Sequence, residues 1–207
     1  MYQSTTKNLE LMSGARHALS GKWLFAIVMF IALGVYQAGA HVIPVIGSLA
    51  VFLFAGSVSV GYNRFSLAIS RGKIPEAGIV LSGFKNFATN TIAFILMFIF
   101  VLLWMLLLVI PGIVKVYAYS QTLYLLTEHP DMTAIEAITK SRELMHGNKL
   151  KLFGLSLYML GLAILCVLTL GIGFIWLMPY QNIVFARFYD DLQSVQDAPE
   201  VEQISVH

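Results

Sequence analysis

The sequence predicts an all-α membrane protein, and three observations carry that prediction. Apolar residues make up 58% of the 207-residue chain and charged residues only 12%, whereas a soluble domain carries about 25% charge. Mean hydropathy is +0.78, so too little polar surface exists to cover a water-soluble globule. Third, the charges are gathered between long runs that hold none: residues 23–63, 86–114 and 152–186.

Each run exceeds what one crossing needs. A helix rising about 1.5 Å per residue crosses a hydrocarbon core of ~30 Å in about 20 residues, so the first and third runs must fold back. The breakers sit where a reversal is required: Gly39, His41 and Pro44 in the first run, Gly171 and Gly173 in the third. The middle run ends at Ile110-Pro111-Gly112 and resumes after Lys115. Six spans follow, near 23–40, 44–63, 89–110, 113–127, 152–170 and 173–189, as three hairpins. Short segments rich in Lys and Arg stay cytoplasmic. With both termini inside, twelve of the thirteen cations are inside and only Lys115 faces out. The first apolar run continues into a second span and so reads as an anchor rather than a cleaved leader.

A similar phrase precedes each hairpin: Leu19-Ser20-Gly21-Lys22-Trp23, then Leu81-Ser82-Gly83 with Lys85 and Phe87, then Met145-His146-Gly147 with Lys149 and Phe153. The three lysines fall 63 and 64 residues apart, which predicts a threefold tandem repeat with units near 6–63, 64–127 and 128–189. In each unit a short amphipathic helix lies on the cytoplasmic surface, glycine supplies the left-handed cap, lysine meets the headgroups, and an aromatic begins the descent. Three such helices are expected: one burying Met12, Ala15 and Leu19, one near 75–82, and one capped at Asp131 or Thr133 with Glu136 completing a capping box and Ile135, Ile138 and Met145 on one face. Close packing of short spans calls for small residues, here Gly34 with Ala38 and Ser57 with Gly61. The whole chain forms one membrane domain, ending in an acidic, flexible tail at 190–207.

The chain resembles a bacterial integral-membrane family catalogued as domain of unknown function 975. The resemblance lies in Ala15-Arg16, Leu19 to Trp23, Val109 to Ile113, Lys115 with Tyr117 to Tyr119, Glu136-Ala137, Ser141, Met145 to Lys149, and Gly171 to Tyr180. It implies a polytopic fold in a bacterial cytoplasmic membrane and no activity. A more remote similarity, to the membrane regions attached to some bacterial glycerophosphodiester phosphodiesterases, implies lipid surroundings without their catalytic domain.

Motifs for chemistry are scarce. Glu128, His129 and Asp131 cluster, but Pro130 between them suits a helix end better than a metal site. Histidines at 17, 41, 129, 146 and 207 form no i,i+4 pair, and neither a phosphate loop nor a nucleophile elbow is present. No catalytic residue, metal or cofactor is expected, and the near-neutral charge of +2 argues against nucleic acid. The one intramembrane cation, Lys115, either snorkels to the interface or joins Tyr119, Gln121, Gln181 and Asn182 around a polar cavity. Arg64, Arg71, Lys73, Lys85, Lys149 and Lys151 are candidate anionic-lipid contacts. The expected role is therefore a non-enzymatic accessory or binding protein engaging lipid, a membrane protein or a peptide. Transport along a polar path between repeats, and protection against a membrane-active peptide, are the alternatives.

Overall fold

A computed structural model describes residues 6–39, 44–76 and 78–204. Among the described residues the chain is helical without strands: α1 (Asn8–Leu19), α2 (Trp23–Gly39), α3 (Pro44–Ser70), a 3-10 helix (Ile79–Phe84), α4 (Phe87–Leu107), α5 (Val109–Tyr119), α6 (Thr122–Glu128), α7 (Ala134–Leu144), α8 (Lys149–Leu168) and α9 (Phe174–Ile204).

Among the described residues three helices are long and apolar enough to cross a membrane: Ile46–Ser70, Phe87–Leu107 and Lys149–Leu168. A fourth crossing is added if α1 and α2, which meet at 97°, count as one bent span. The other expected spans differ for physical reasons. Trp23–Gly39 has 17 residues, about 26 Å of helix. The expected span 113–127 is broken at Ser120 and Gln121 into helices of 11 and 7 residues. α9 already includes Arg187, Asp190 and Asp191 within its first five turns.

The packing is apolar outward. Only 17% of the most apolar stretch of α4, and likewise of α8, is buried, leaving Leu103, Leu106, Leu107, Leu165 and Leu168 exposed. So large an apolar exterior marks a surface that something other than water covers. The buried residues lie elsewhere. Leu11, Met12, Ala15 and Leu19 of α1 pack against Phe65 and Ile69 of α3, Leu155 of α8, and Ile183, Val184 and Phe188 of α9. A second cluster joins Val60 and Leu67 of α3 to Tyr124, Leu125, Ala137, Leu144 and Tyr189. The core thus gathers around the C-terminal half of α3, the middle of α9 and the short helices.

The turns show what each breaker does. Gly21 (φ +74°), Gly147 (φ +86°) and Gly171 (φ +85°) take the left-handed conformation expected of caps. Gly83 does not. It lies inside the 3-10 helix, where a Cβ would sit 2.0 Å from the Ser57 carbonyl oxygen and 2.7 Å from the Gly61 nitrogen; it is a glycine of close approach. Ser57 and Gly61 therefore form a genuine small-residue contact, made with the 3-10 helix rather than with another span. At Gly34 no described residue outside the helix's own backbone comes within 4 Å of where a Cβ would stand. Between α4 and α5 the chain reverses at extended Leu108, three residues before the expected breaker. Pro111 falls in the first turn of α5, where its missing N–H leaves nothing unpaired, and Gly112 lets Met105 of α4 approach. Gly173 does the same for Cys166. Pro44 opens α3, while His41 lies outside the described residues.

Two expectations about the short helices are revised. The helix expected at 75–82 is the 3-10 turn Ile79–Phe84, shortened by Pro75 and Gly78. On α7 the buried face is Ala134, Ala137, Ile138, Ser141 and Leu144, and Ile135 is 68% exposed. The tail expected to be flexible continues α9 as helix to Ile204.

The capping box forms as expected. Thr133 N–H donates to Glu136 Oε2 at 2.8 Å, and Glu136 N–H donates to Thr133 Oγ1 at 3.3 Å. The backbone hydrogen bond from Thr133 holds the Glu136 carboxyl below its ordinary value. A depressed folded-state pKa contributes stability that is present above the unfolded pKa and lost as pH falls through the folded one. Melting of the wild type should therefore move towards that of Glu136→Gln as pH drops through the carboxylate range, because glutamine keeps the box without its charge. Thr133→Ala should cost about 1 kcal/mol at neutral pH. A gap between wild type and Glu136→Gln that widens with acid would contradict this.

Candidate functional site

The ends of α3 and α6 converge with the middle of α9 on an ionic network. Arg71, just past α3, donates to Asp190 of α9 (Nη2 to Oδ1, 2.7 Å) and to Glu128 at the end of α6. Ser70 Oγ donates to Asp190 Oδ2 at 2.7 Å, and Tyr189 Oη donates to Glu128 Oε2 at 2.8 Å. Both oxygens of Glu128 are thus occupied by protein donors. Lys151 of α8 pairs with Asp191 at 3.1 Å. Arg64 donates to Ser82 Oγ and to the Thr127 carbonyl oxygen, at 2.6 and 2.9 Å. Arg187 reaches the Gly14 carbonyl oxygen at 2.9 Å, in space that a side chain at Gly14 would fill. Lys22 donates to the carbonyls of Gly72 and Lys73, covering the end of α3.

These contacts divide the six candidate lipid cations. Arg64, Arg71 and Lys151 are spent on protein acceptors and act as clamps between helices. Lys73 and Lys85 are exposed. Lys149 takes a third course.

Lys149, the first residue of α8, lines a cleft of about 570 Å³ with Val114, Lys115 and Ala118 of α5, Thr139, Arg142 and Glu143 of α7, and His146. The cleft exists because α5 stops short. The break at Ser120–Gln121 frees the Ala118 carbonyl and the Gln121 amide, and one hydroxyl of α7 satisfies both: Ser141 Oγ donates to Ala118 O at 2.9 Å and accepts from Gln121 N–H at 3.2 Å. α7 is thereby anchored under the end of α5, with its polar stripe beside Lys115. The Lys115 ammonium lies 4.6 Å from the centre of the Trp104 ring and 6.0 Å from that of Tyr119, within cation–π range.

A cleft lies at Lys115, but its walls are not those of the expected polar cavity. Tyr119 and Gln121 are buried, Gln121 by its bonds to Ser141 and Ser120; Asn182 donates to Met178 within α9. None of Tyr119, Gln121, Gln181 and Asn182 lines the cleft. Nor does Lys115 face out alone, as the six-span plan expects: Arg142, His146 and Lys149, all expected inside, share its cleft, so that plan does not hold at α5. The missed signal was available: 139, 142, 143 and 146 are spaced i, i+3, i+4, i+7, the polar stripe of one helical face. Among the described residues no ion pair includes any of the cleft's charged groups.

Fold and cleft together define an all-helical protein with three to four helices able to span a membrane and a cationic cleft beside its short helices. The model of the family described as "Protein of unknown function (DUF975)" matches residues 105–196, the family that the sequence resembles; the match takes in all of α5 to α8, and with them the cleft. No curated protein and no solved structure matches the chain.

Proposed function

We propose that this protein is a non-enzymatic component of a bacterial cytoplasmic membrane, folded as three hairpins with both ends inside, and that it engages anionic lipid through the cations left without an ion pair. The observation that carries this is the division of its cations. Those needed for folding are bound to protein oxygens, while Lys73, Lys85 and the cleft group stand beside a broadly apolar exterior with no ion pair among the described residues. Cations near an anionic leaflet contribute roughly 1 kcal/mol each.

The element order supports the three-hairpin plan. A short helix precedes a long one at α1–α2, at the 3-10 helix and α4, and at α7–α8, and left-handed Gly21 and Gly147 stand at two of the three junctions. The 97° bend after α1 suits a helix lying along the surface before one that descends.

Single cysteines at Lys85 and at Leu150, which is 84% exposed, in a Cys166→Ser background, test the topology. Both should react with a membrane-impermeant maleimide only when the cytoplasmic side is open. Labelling from opposite sides would end the three-hairpin plan. Mass spectrometry of gently extracted protein tests the role, and anionic lipid should leave the membrane with it.

A further inference from the structure

The cleft between α5, α7 and the start of α8 has a charge count that selects among anionic ligands. Lys115, Arg142 and Lys149 against Glu143 leave a net of 3 − 1 = +2 with His146 neutral. Among the described residues no other acid lines it. We propose that this cleft seats a phosphomonoester headgroup of a membrane lipid, with Lys115, Arg142 and Lys149 surrounding its phosphate. This rests on the proposed placement of the chain in a bilayer and names the ligand class.

Four observations converge on it. Like charges held together repel, and no ion pair among the described residues offsets this here, whereas Arg71 and Lys151 elsewhere in the fold are matched to carboxylates. Arg and Lys side chains are the usual donors to phosphate oxygens, Arg through its planar fork. The Asn148 side chain makes no cap bond to the first turn of α8, and the positive end of that helix adds to the field at Lys149. A volume of about 570 Å³ falls inside the roughly 300–1,000 Å³ of small-molecule sites.

The charge count chooses the headgroup. A phosphomonoester carries about −1.5 to −2 near pH 7, which matches +2, and the single charge of a phosphodiester leaves one cation unanswered. The surroundings choose lipid over free phosphate. Val114 lines the cleft and is 43% exposed, and Ile113 of α5 and Phe153 and Leu157 of α8 are exposed alongside. Tyr117 and Phe153 join the two helices edge to face at 5.9 Å. Acyl chains leaving the headgroup would meet this apolar slope.

The test is native mass spectrometry of the full-length protein in micelles doped in turn with phosphatidic acid, phosphatidylglycerol and phosphatidylcholine, with inorganic phosphate as competitor. Phosphatidic acid should bind at least fivefold more tightly than phosphatidylglycerol. Arg142→Gln and Lys149→Gln, each made separately, should weaken it about fivefold per cation removed with melting unchanged, and Lys7→Gln, at an exposed cation ahead of α1, should not. Equal retention of the two anionic lipids, or indifference to both cleft variants, overturns the cleft proposal and leaves the broader lipid reading standing on Lys73 and Lys85. Failure to retain any anionic lipid overturns both. Displacement of phosphatidic acid by equimolar inorganic phosphate would show that the lipid moiety contributes nothing and would reject the lipid as the source.

Discussion

Gly83→Ala should lower the stability of the purified protein in micelles by about 3 kcal/mol, and Gly83→Val should prevent recovery of folded protein. A Cβ at Gly83 would stand 2.0 Å from the Ser57 carbonyl oxygen, and one at Gly61 would stand 2.0 Å from the Val80 carbonyl oxygen. These obstacles are backbone, so no rotamer change can relieve them. α3 and the 3-10 helix would have to separate, undoing as well the hydrogen bond from Asn90 Nδ2 to the Gly83 carbonyl oxygen at 2.7 Å. Overpacking of a tight contact costs about 1–3 kcal/mol, occasionally more, and rigid backbone on both sides places this case at the upper end. Gly34→Ala is the control. With open space around it, alanine there should stabilise by up to about 1 kcal/mol through helix propensity. Thermal melting of the three variants decides the matter, and a Gly83→Ala protein that melts with the wild type would show that the two helices are not in backbone contact.

Lys151→Met should cost about 3 kcal/mol, more than any exposed cation. The Lys151 and Asp191 side chains are 17% and 8% exposed, against 40% for Arg71. A surface pair contributes at most about 1 kcal/mol, whereas withdrawing one partner from a buried pair leaves a charge that water cannot reach. Thr6 also bonds to this carboxylate, so part of its need stays met. The double variant Lys151→Met/Asp191→Asn should then regain at least about 1 kcal/mol over the sum of the single changes. Strict additivity in the double-mutant cycle would mean that the pair is solvated.

The candidate site was half legible. Lys115 and Lys149 stand out in the sequence as a cation within an apolar run and a cation at the mouth of one, and both line the cleft. Arg142 and His146 read as ordinary polar positions of a surface helix, because their spacing places them on one face of α7 without saying which neighbour that face meets. Gln181 and Asn182 illustrate the converse. Polar residues on an apolar helix invite a cavity, yet Asn182 returns its amide to the carbonyl of Met178 one turn earlier. Arg71 looked like a lipid contact for the same reason: a juxtamembrane arginine carries the same charge whether it faces headgroups or two carboxylates brought from residues 128 and 190.

What the amino-acid order determines by itself is whatever depends on local composition and spacing: helical class, the apolar exterior, the left-handed turns at Gly21, Gly147 and Gly171, and the capping box at Thr133. Each follows from interactions within a few residues of chain. What only the tertiary structure decides is which partner each exposed donor, small residue or charge finds. The break at Ser120–Gln121 leaves two buried backbone groups that a hydroxyl twenty residues away can satisfy, and only the packing of α7 under α5 brings Ser141 there. The same docking turns separate lysines and an arginine into one cleft, because the field of a charge is set by distance through space, which chain position does not fix.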